Sequence, residues 1–390
     1  MNSGKFVFSQ IVQFLPQRIF DGIVEKHKGN YRVKHFTCWN QMLCMIFGQL
    51  SNRESLRDLN LTINAHRNKT YHLGFGHKVA KSTLADANEN RSWLIYQDFA
   101  YYLIGEARKI CIDKMANDFS FSNPVYAVDS STIDLCLNLF WWAKFKTTKA
   151  GIKLHTQIDV RTAIPVFVYI TEAAQHDVNA MDALSYEPGS YYIFDRGYLD
   201  FERLFTIHNS KAYFVIRAKS NTNFKRMYSK KVNKDSNVIY DQLGKLDGFY
   251  TRHDYTGKIR RIKYYDAENN RNFIFLTNNL EIQPEEVAFL YKNRWKVELF
   301  FKFIKQHLKI KSFWGYSENA VKTQVYIAMI TYTLISIIHA KLKIKFSIYE
   351  TLQIFGASLL DKSNIRQLIT DDENIDTKDN SHNQLKLFDF

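Results

Sequence analysis

Twice along this 390-residue chain the spacing of apolar residues changes period, near Pro124 and again near Pro284, and each change dictates a different kind of element. From Phe6 to about Lys109 the spacing is helical: WNQMLCMIFGQL is apolar on most faces, and RSWLIYQDFAYYLIGEARK is amphipathic. Between them SNRESLRDLN offers Ser51 as a cap, with Glu54 three residues on. After Asn123-Pro124 the pattern turns to alternation and short apolar runs: VYAVDSSTIDL, KLHTQIDV, PVFVYITEA, SYYIFDRGY and AYFVIRAK. KLHTQIDVRTAIPVFVYI predicts two strands joined by a short turn, with Pro165 starting the second. NAMDALS and DFERLFTIHNS predict helical segments between later strands. Residues 221–279, rich in Lys, Asn, Tyr and Asp, predict a small β insertion built from NVIYDQL, GFYTRHDY, IRRIKYYDA and RNFIFLTN. Helical spacing returns as one helix in QPEEVAFLYKNRWKVELFFKFIKQHL, where Pro284, Glu285 and Glu286 suit a first turn. The expected fold class is α/β, with a β-strand insertion, preceded by an all-α N-terminal domain.

Charge narrows the partner. Lys and Arg number 53 against 39 Asp and Glu, a formal charge of +14, which suits a polyanion such as nucleic acid better than a small acidic metabolite. The 30 Phe and 23 Tyr accompany abundant Lys, Ile and Asn, so aromatic content by itself says nothing about base stacking. Cys38, Cys44, Cys111 and Cys136 form no C-x-x-C pair, which speaks against a zinc ribbon or a disulfide framework and for buried thiols in a reducing compartment. The N-terminus lacks an apolar signal core, so a cytoplasmic protein is expected. The most apolar stretch, VYIAMITYTLISII, is shorter than the roughly 20 residues a bilayer needs and reads as a buried helix rather than a membrane span. The tail from about Asp371 is acidic and polar, with the composition of a disordered segment.

Three acids lie in apolar elements, where an acid must be paired or hold a metal. Asp129 sits within VYAVDSSTID, sharing a strand face with Ser131 and Ile133, and Asp195 ends the strand YYIFD. Either Asp alone reads equally as a cap or a salt-bridged acid. The third is Glu298. At about 100° per residue, Tyr291, Arg294, Glu298 and Lys305 fall within an arc of roughly 60°, while Phe289, Phe300, Phe303 and Ile304 take the opposite side. A solvated face would carry mixed Lys and Glu without a Tyr, so this stripe is read as part of an active site.

The spacing Y-x2-R-x3-E-x6-K at Tyr291, Arg294, Glu298 and Lys305, with AVDSST around Asp129 and FDRGY around Asp195, resembles the DDE transposases of the insertion sequence 4 family. The resemblance extends to GIKLHTQID, to His176-Asp177 and to STLADANENR, and covers about residues 3 to 340. It implies an RNase H-like catalytic core split by the β insertion, behind an N-terminal DNA-binding domain. The implied division is residues 1–118 for the helical DNA-binding domain, 119–220 and 281–345 for the two parts of the core, 221–280 for the insertion, and 346–390 for a C-terminal helix and tail. Some relatives stack a flipped base on a Trp of the insertion. Residues 221–279 contain no Trp, and Tyr250, His253 and Tyr255 stand as alternatives. Trp141 and Trp142 are read as packing residues.

An all-carboxylate set without Cys or His is a hard-oxygen site, suited to two Mg²⁺ or Mn²⁺ ions held by Asp129, Asp195 and Glu298. His155, His176 and Asp177 are read as structural. Arg294, Lys305 and Tyr291 are expected to hold backbone phosphates, with Lys144, Lys146, Lys149 and Lys153 as candidate tracking contacts whose alternative is ordinary surface lysine. In the N-terminal region a basic turn containing Lys78 and Lys81 precedes a helix expected from about Ser82, the arrangement by which helix-turn-helix modules enter the major groove. The expected activity is cut-and-paste transposition: cleavage at element ends, then joining of the 3′-OH to target DNA, by a homodimer associated with a bacterial nucleoid. The alternatives are a catalytically silent DNA-binding derivative and an RNase H-like nuclease.

Overall fold

The computed structural model describes residues 4–76, 79–112, 121, 123–233, 235–310 and 312–369. Its N-terminal third is helical, as the apolar spacing predicts: α1 (Val7–Val12), α2 (Gln17–Lys26), α3 (Cys38–Leu50), α4 (Leu56–Ala65), α5 (Lys81–Asn90) and α6 (Leu94–Ile112). α3 begins where the Thr37 hydroxyl accepts the Asn40 amide and the Asn40 side chain accepts the Thr37 amide, a reciprocal cap. Nearly all of α3 is buried, as befits a helix apolar on most faces. The cap of α4 is Ser55, accepting from the Asp58 amide, and not Ser51, which closes α3. Asn52 follows at a left-handed φ of 56°, and the chain must complete that turn before another helix can start.

The sheet follows. β1 (Val125–Leu135), β2 (Lys144–Lys146), β3 (Lys149–Asp159), β4 (Ile164–Glu172), β5 (Tyr191–Phe194) and β6 (Tyr213–Arg217) form its first part, with α7 (Phe201–Asn209) crossing over between β5 and β6. β3 runs antiparallel to both β1 and β4, whereas β5 lies parallel to β1 and β6 parallel to β5. The order β4-β3-β1-β5-β6, three antiparallel strands followed by two parallel ones, is the expected RNase H-like core. Pro165 lies one residue inside β4, at a register shift, where a missing amide is tolerated.

The inserted segment supplies β7 (Phe224–Lys230), β8 (Val238–Leu246), α8 (Thr251–Asp254), β9 (Ile259–Asp266) and β10 (Arg271–Thr277). β10 pairs antiparallel with β6, so these strands continue the core sheet to ten strands, with β7 at its far edge. GFYTRHDY, expected as alternating strand, contains the helical turn α8 instead: Tyr250 is already in the α region, and the Arg252 amide donates to the Gly248 carbonyl. A buried ion pair ties the insertion down. Arg260 donates through Nε and Nη2 to Asp241 at 2.8 and 2.7 Å, and through Nη1 to the Ile282 carbonyl at 2.6 Å. Asn279 completes the anchor by accepting the Glu281 and Ile282 amides and donating to the Tyr191 hydroxyl.

The chain then forms α9 (Pro284–Lys292), α10 (Trp295–His307), α11 (Glu318–Leu342), α12 (Ile348–Ser358) and α13 (Ile365–Ile369). The single helix expected over Pro284–His307 is thus interrupted at Asn293–Arg294, where the Asn293 side chain donates to its own i−4 carbonyl, Phe289. Both residues keep right-handed helical angles, so the phase of the face survives the break. α11, from the apolar stretch, is the one described helix long and apolar enough to cross a membrane, and 83% of its apolar window is buried within the protein. It packs on α6, α3 and β4, with the Tyr326 and Tyr332 hydroxyls donating to the Val168 and Ala163 carbonyls. One apolar core accordingly runs from the N-terminal helices through α11 into the sheet. Of the expected buried thiols, Cys38 and Cys44 are buried, Cys111 is half-buried and Cys136 is exposed at the end of β1. The tail from residue 370 lies outside the described residues.

Candidate active site

Parallel pairing of β1 with β5 brings the two aspartates together. Val128 is paired with Phe194, so the next residue on each strand is Asp129 and Asp195, side by side at strand spacing. Both stand at the carboxyl end of the parallel pair, the usual crevice of an α/β sheet. α10 lies across β1 and delivers the helical stripe to the same place. Arg294 Nη1 donates to Asp129 Oδ2 at 2.8 Å, and Nη2 donates to Glu298 Oε1. The Tyr291 hydroxyl donates to Asp195 Oδ1 at 3.1 Å, and Lys305 Nζ donates to the Thr132 carbonyl of β1 at 2.6 Å. Arg294 and Lys305 therefore meet β1, Tyr291 meets Asp195 at the end of β5, and Glu298 joins them through Arg294.

Burial pushes the Asp129 carboxyl up to about 6; Arg294 and the Ser130 amide oppose that rise, while the charges of Glu298 and Asp195 add to it. Burial also pushes Tyr291 up to about 12, helped by Asp195. Desolvation works against the Arg294 charge, but the neighbouring Asp129, Tyr291 and Glu298 outweigh it and raise its pKa. The site is thus a knot of negative charge in which one guanidinium bridges two of the three carboxylates. Among the described residues no three acidic, His or Cys side chains form a group that could hold a metal ion as placed, and Arg294 bridges Asp129 and Glu298. The donor chemistry still fits a hard divalent cation: the oxygens are carboxylate, and a cation already bridges two of them.

On the other side of β1 the Ser130 hydroxyl donates to Asp177 at 2.6 Å, and Lys153 lies 3.0 Å from the same carboxylate. Burial works against the Asp177 charge, but Ser130 and Lys153 more than offset it and hold its carboxyl below the ordinary aspartate value. Lys153, expected as a DNA-tracking contact, is occupied by Asp177 and the Gln175 carbonyl, with its side chain only 12% exposed. His155 is buried on β3, 3.0 Å from the Thr171 hydroxyl, and burial pushes it down to about 4. His176 is exposed.

Lys144, Lys146 and Lys149 are exposed on the β2–β3 hairpin. Lys81 opens α5 with Ser82 and Thr83, all three exposed, whereas Lys78 lies outside the described residues. Residues 66–80 separate α4 from α5, a connection far longer than the three- or four-residue turn of a helix-turn-helix. Trp142 packs, donating to the Tyr316 carbonyl at 2.7 Å, but Trp141 is 77% exposed, contrary to a packing role. Tyr255 is buried and paired with His208, which removes it from the three alternatives for base stacking; Tyr250 and His253 are exposed.

A groove of about 640 Å³ opens beside the stripe, between the β9–β10 hairpin and α9–α10. Phe273, Phe275, Phe289, Trp295, Tyr291 and Arg294 line it. Phe289, placed by helical phase among the packing residues, is exposed there, while Phe300 and Ile304 are buried as expected. The sequence hinted at this only through Trp295 directly following Arg294; the hairpin that completes the wall arrives by non-local pairing.

Comparison with known proteins shows the family. The transposase DDE domain family matches residues 120–334, more than half the chain, and residues 3–76 match a domain of unknown function, DUF4372. A protein described as a transposase in Sinorhizobium fredii is 32% identical over 65% of this chain and 70% of its own length. A protein described as the transposase of insertion sequence element IS5377 in Geobacillus stearothermophilus is 30% identical over 58% of this chain and 59% of its own. Among solved structures, the piggyBac transposase synaptic complex with hairpin DNA aligns over 96% of this chain and 86% of that one, at 12% identity and a TM-score of 0.44. The chain belongs to the DDE transposase family, enzymes that act on DNA.

Proposed function

We propose that this protein excises and inserts an insertion sequence by cut-and-paste chemistry, with Asp129, Asp195 and Glu298 holding two Mg²⁺ or Mn²⁺ ions. The observation that carries the reading is the shared face: Tyr291, Arg294 and Glu298 meet Asp129 and Asp195, although these residues come from three distant parts of the sequence. Bound there, the ions supply Lewis-acid polarisation of a phosphodiester and a nucleophile deprotonated at neutral pH. Arg294 and Lys305 hold phosphates beside the scissile bond, and Tyr291 donates to a phosphate oxygen or keeps Asp195 oriented. Water attacks first, and the freed 3′-OH then attacks target DNA in the same centre.

The exposed first turn of α5, Lys81 to Thr83, is the recognition end of a DNA-binding region spanning residues 1–118. Lys146 and Lys149 track the backbone of the element end. The aromatic groove receives an unstacked base, with the exposed Trp295 in the place of the absent insertion Trp. Two copies pair two element ends, in the bacterial nucleoid. The test is incubation with labelled element-end DNA and Mg²⁺. Asp129→Asn, Asp195→Asn and Glu298→Gln should each abolish cleavage and spare end binding, because phosphate contacts elsewhere persist. Strand transfer retained by any one of them removes that residue from the site.

A further inference from the structure

Arg260 and Arg294 are both paired with acids, and they are satisfied differently. Arg260 uses Nε, Nη1 and Nη2 on fixed oxygens. Arg294 spends Nη1 on Asp129 and Nη2 on Glu298, while its Nε is buried without a hydrogen-bond partner. One donor edge is therefore idle where the guanidinium now stands. The Glu298 side chain is 55% exposed, so that half of the bridge is a solvent-screened pair that costs little to open. Arg294 also lines the groove beside the acids, which gives its side chain a place to turn into. A planar, always-charged fork matches a phosphate as well as it matches a carboxylate.

We propose that Arg294 is an exchangeable counter-cation: it neutralises Asp129 and Glu298 until a divalent cation takes the acids, and the released guanidinium then grips a DNA phosphate. The inference rests on the reading of Asp129, Asp195 and Glu298 as the holders of metal. Its consequence is a linkage. Metal in the acids frees Arg294 for DNA, and a phosphate that draws Arg294 away opens the acids to metal, so each strengthens the other by the same factor. A free protein would bind metal weakly, and cleavage chemistry would assemble only on DNA.

The experiment titrates Mn²⁺ into the full chain without DNA, following free Mn²⁺ by its paramagnetic resonance, with circular dichroism checking that each variant is folded. Arg294→Met should bind Mn²⁺ about tenfold or more tighter than the unaltered protein, and Arg294→Lys, which cannot bridge both acids, should fall between them. Lys305→Met removes an equal charge from the same helix face but from a carbonyl partner, and should change Mn²⁺ affinity by no more than about threefold. A second arm measures a short labelled duplex with Ca²⁺ added: DNA affinity should rise in the unaltered protein and not in Arg294→Met. An unchanged Mn²⁺ affinity in Arg294→Met, or an equal gain in Lys305→Met, overturns the exchange. Adding Asp129→Asn to Arg294→Met should remove the tight binding. Tight binding that survives this double substitution, or no binding by any form, would instead defeat the assignment of the acids to metal, and the exchange with it.

Discussion

Removing Arg260 while leaving Asp241 in place should be among the most damaging single changes outside the candidate active site. The two side chains are 1% and 3% exposed, joined by two charge-assisted bonds, and the remaining Arg260 donor holds the Ile282 carbonyl two residues before α9. Arg260→Met leaves a buried carboxylate without its partner, at a cost of about 3 to 5 kcal/mol, and strips a donor from a part-buried carbonyl, at about 1 kcal/mol or more. Asp241→Leu leaves the guanidinium stranded and should cost a similar amount. The double variant Arg260→Met/Asp241→Leu removes both charges together, and apolar replacements of buried ion pairs are often neutral, so most of the loss should be recovered. Urea unfolding of the four proteins, followed by circular dichroism at matched slope, gives the coupling directly. We expect a coupling energy of about 2 kcal/mol or more. Additive losses, or single variants each within about 0.5 kcal/mol of the parent, would refute the claim that this pair anchors the return into α9.

Other expectations follow from the same geometry. His155 is pushed down to about 4 from its usual 6.5, so its neutral form stabilises the fold fully above pH 6.5, and that contribution is lost as pH falls toward 4; it amounts to at most about 3 kcal/mol, and His155→Gln should flatten this part of the stability profile. Lys305→Ala and Arg294→Ala should slow every strand-breaking step by about 1.5 to 3 kcal/mol in activation free energy, whereas Lys292→Ala should leave single-turnover cleavage near normal, since Lys292 is exposed and paired with Glu268. Lys81→Ala and Lys149→Ala should each reduce the slope of log affinity against log salt by about 1 if each contacts one phosphate, and an unchanged slope excludes the contact. Trp295→Ala should lower the fluorescence of 2-aminopurine placed next to the cleavage site in the complex if the groove takes an unstacked base, and an identical signal in both proteins would empty it of that role.

How far the site could be read before the fold was known depends on whether a residue's meaning is local. Helical phase is local: Tyr291, Arg294, Glu298 and Lys305 share a face whatever they pack against, and the break at Asn293 preserves it because both residues there keep helical angles. Acids inside apolar strands are also legible locally, which is why Asp129 and Asp195 stand out. Partner choice is not local. That Tyr291 meets Asp195 and Arg294 meets Asp129 depends on the β1–β5 register and on α10 crossing β1, and a one-residue slip in the strand would turn Asp129 to the other face. Asp177 is tied to β1 through Ser130, and Lys153 is consumed by it, neither of which alternation can show. The insertion carries the same lesson further. β8, β9 and β10 were legible as strands, whereas β7 was not and GFYTRHDY proved helical; the pairing through β10 onto β6 makes these strands a wall of the groove beside the candidate site rather than an appendage. Phe289 and Trp295 are exposed because that wall leaves a gap beside the helix instead of covering it, so aromatic residues that helical phase alone would assign to packing or to solvent become the lining of a cleft next to the acids.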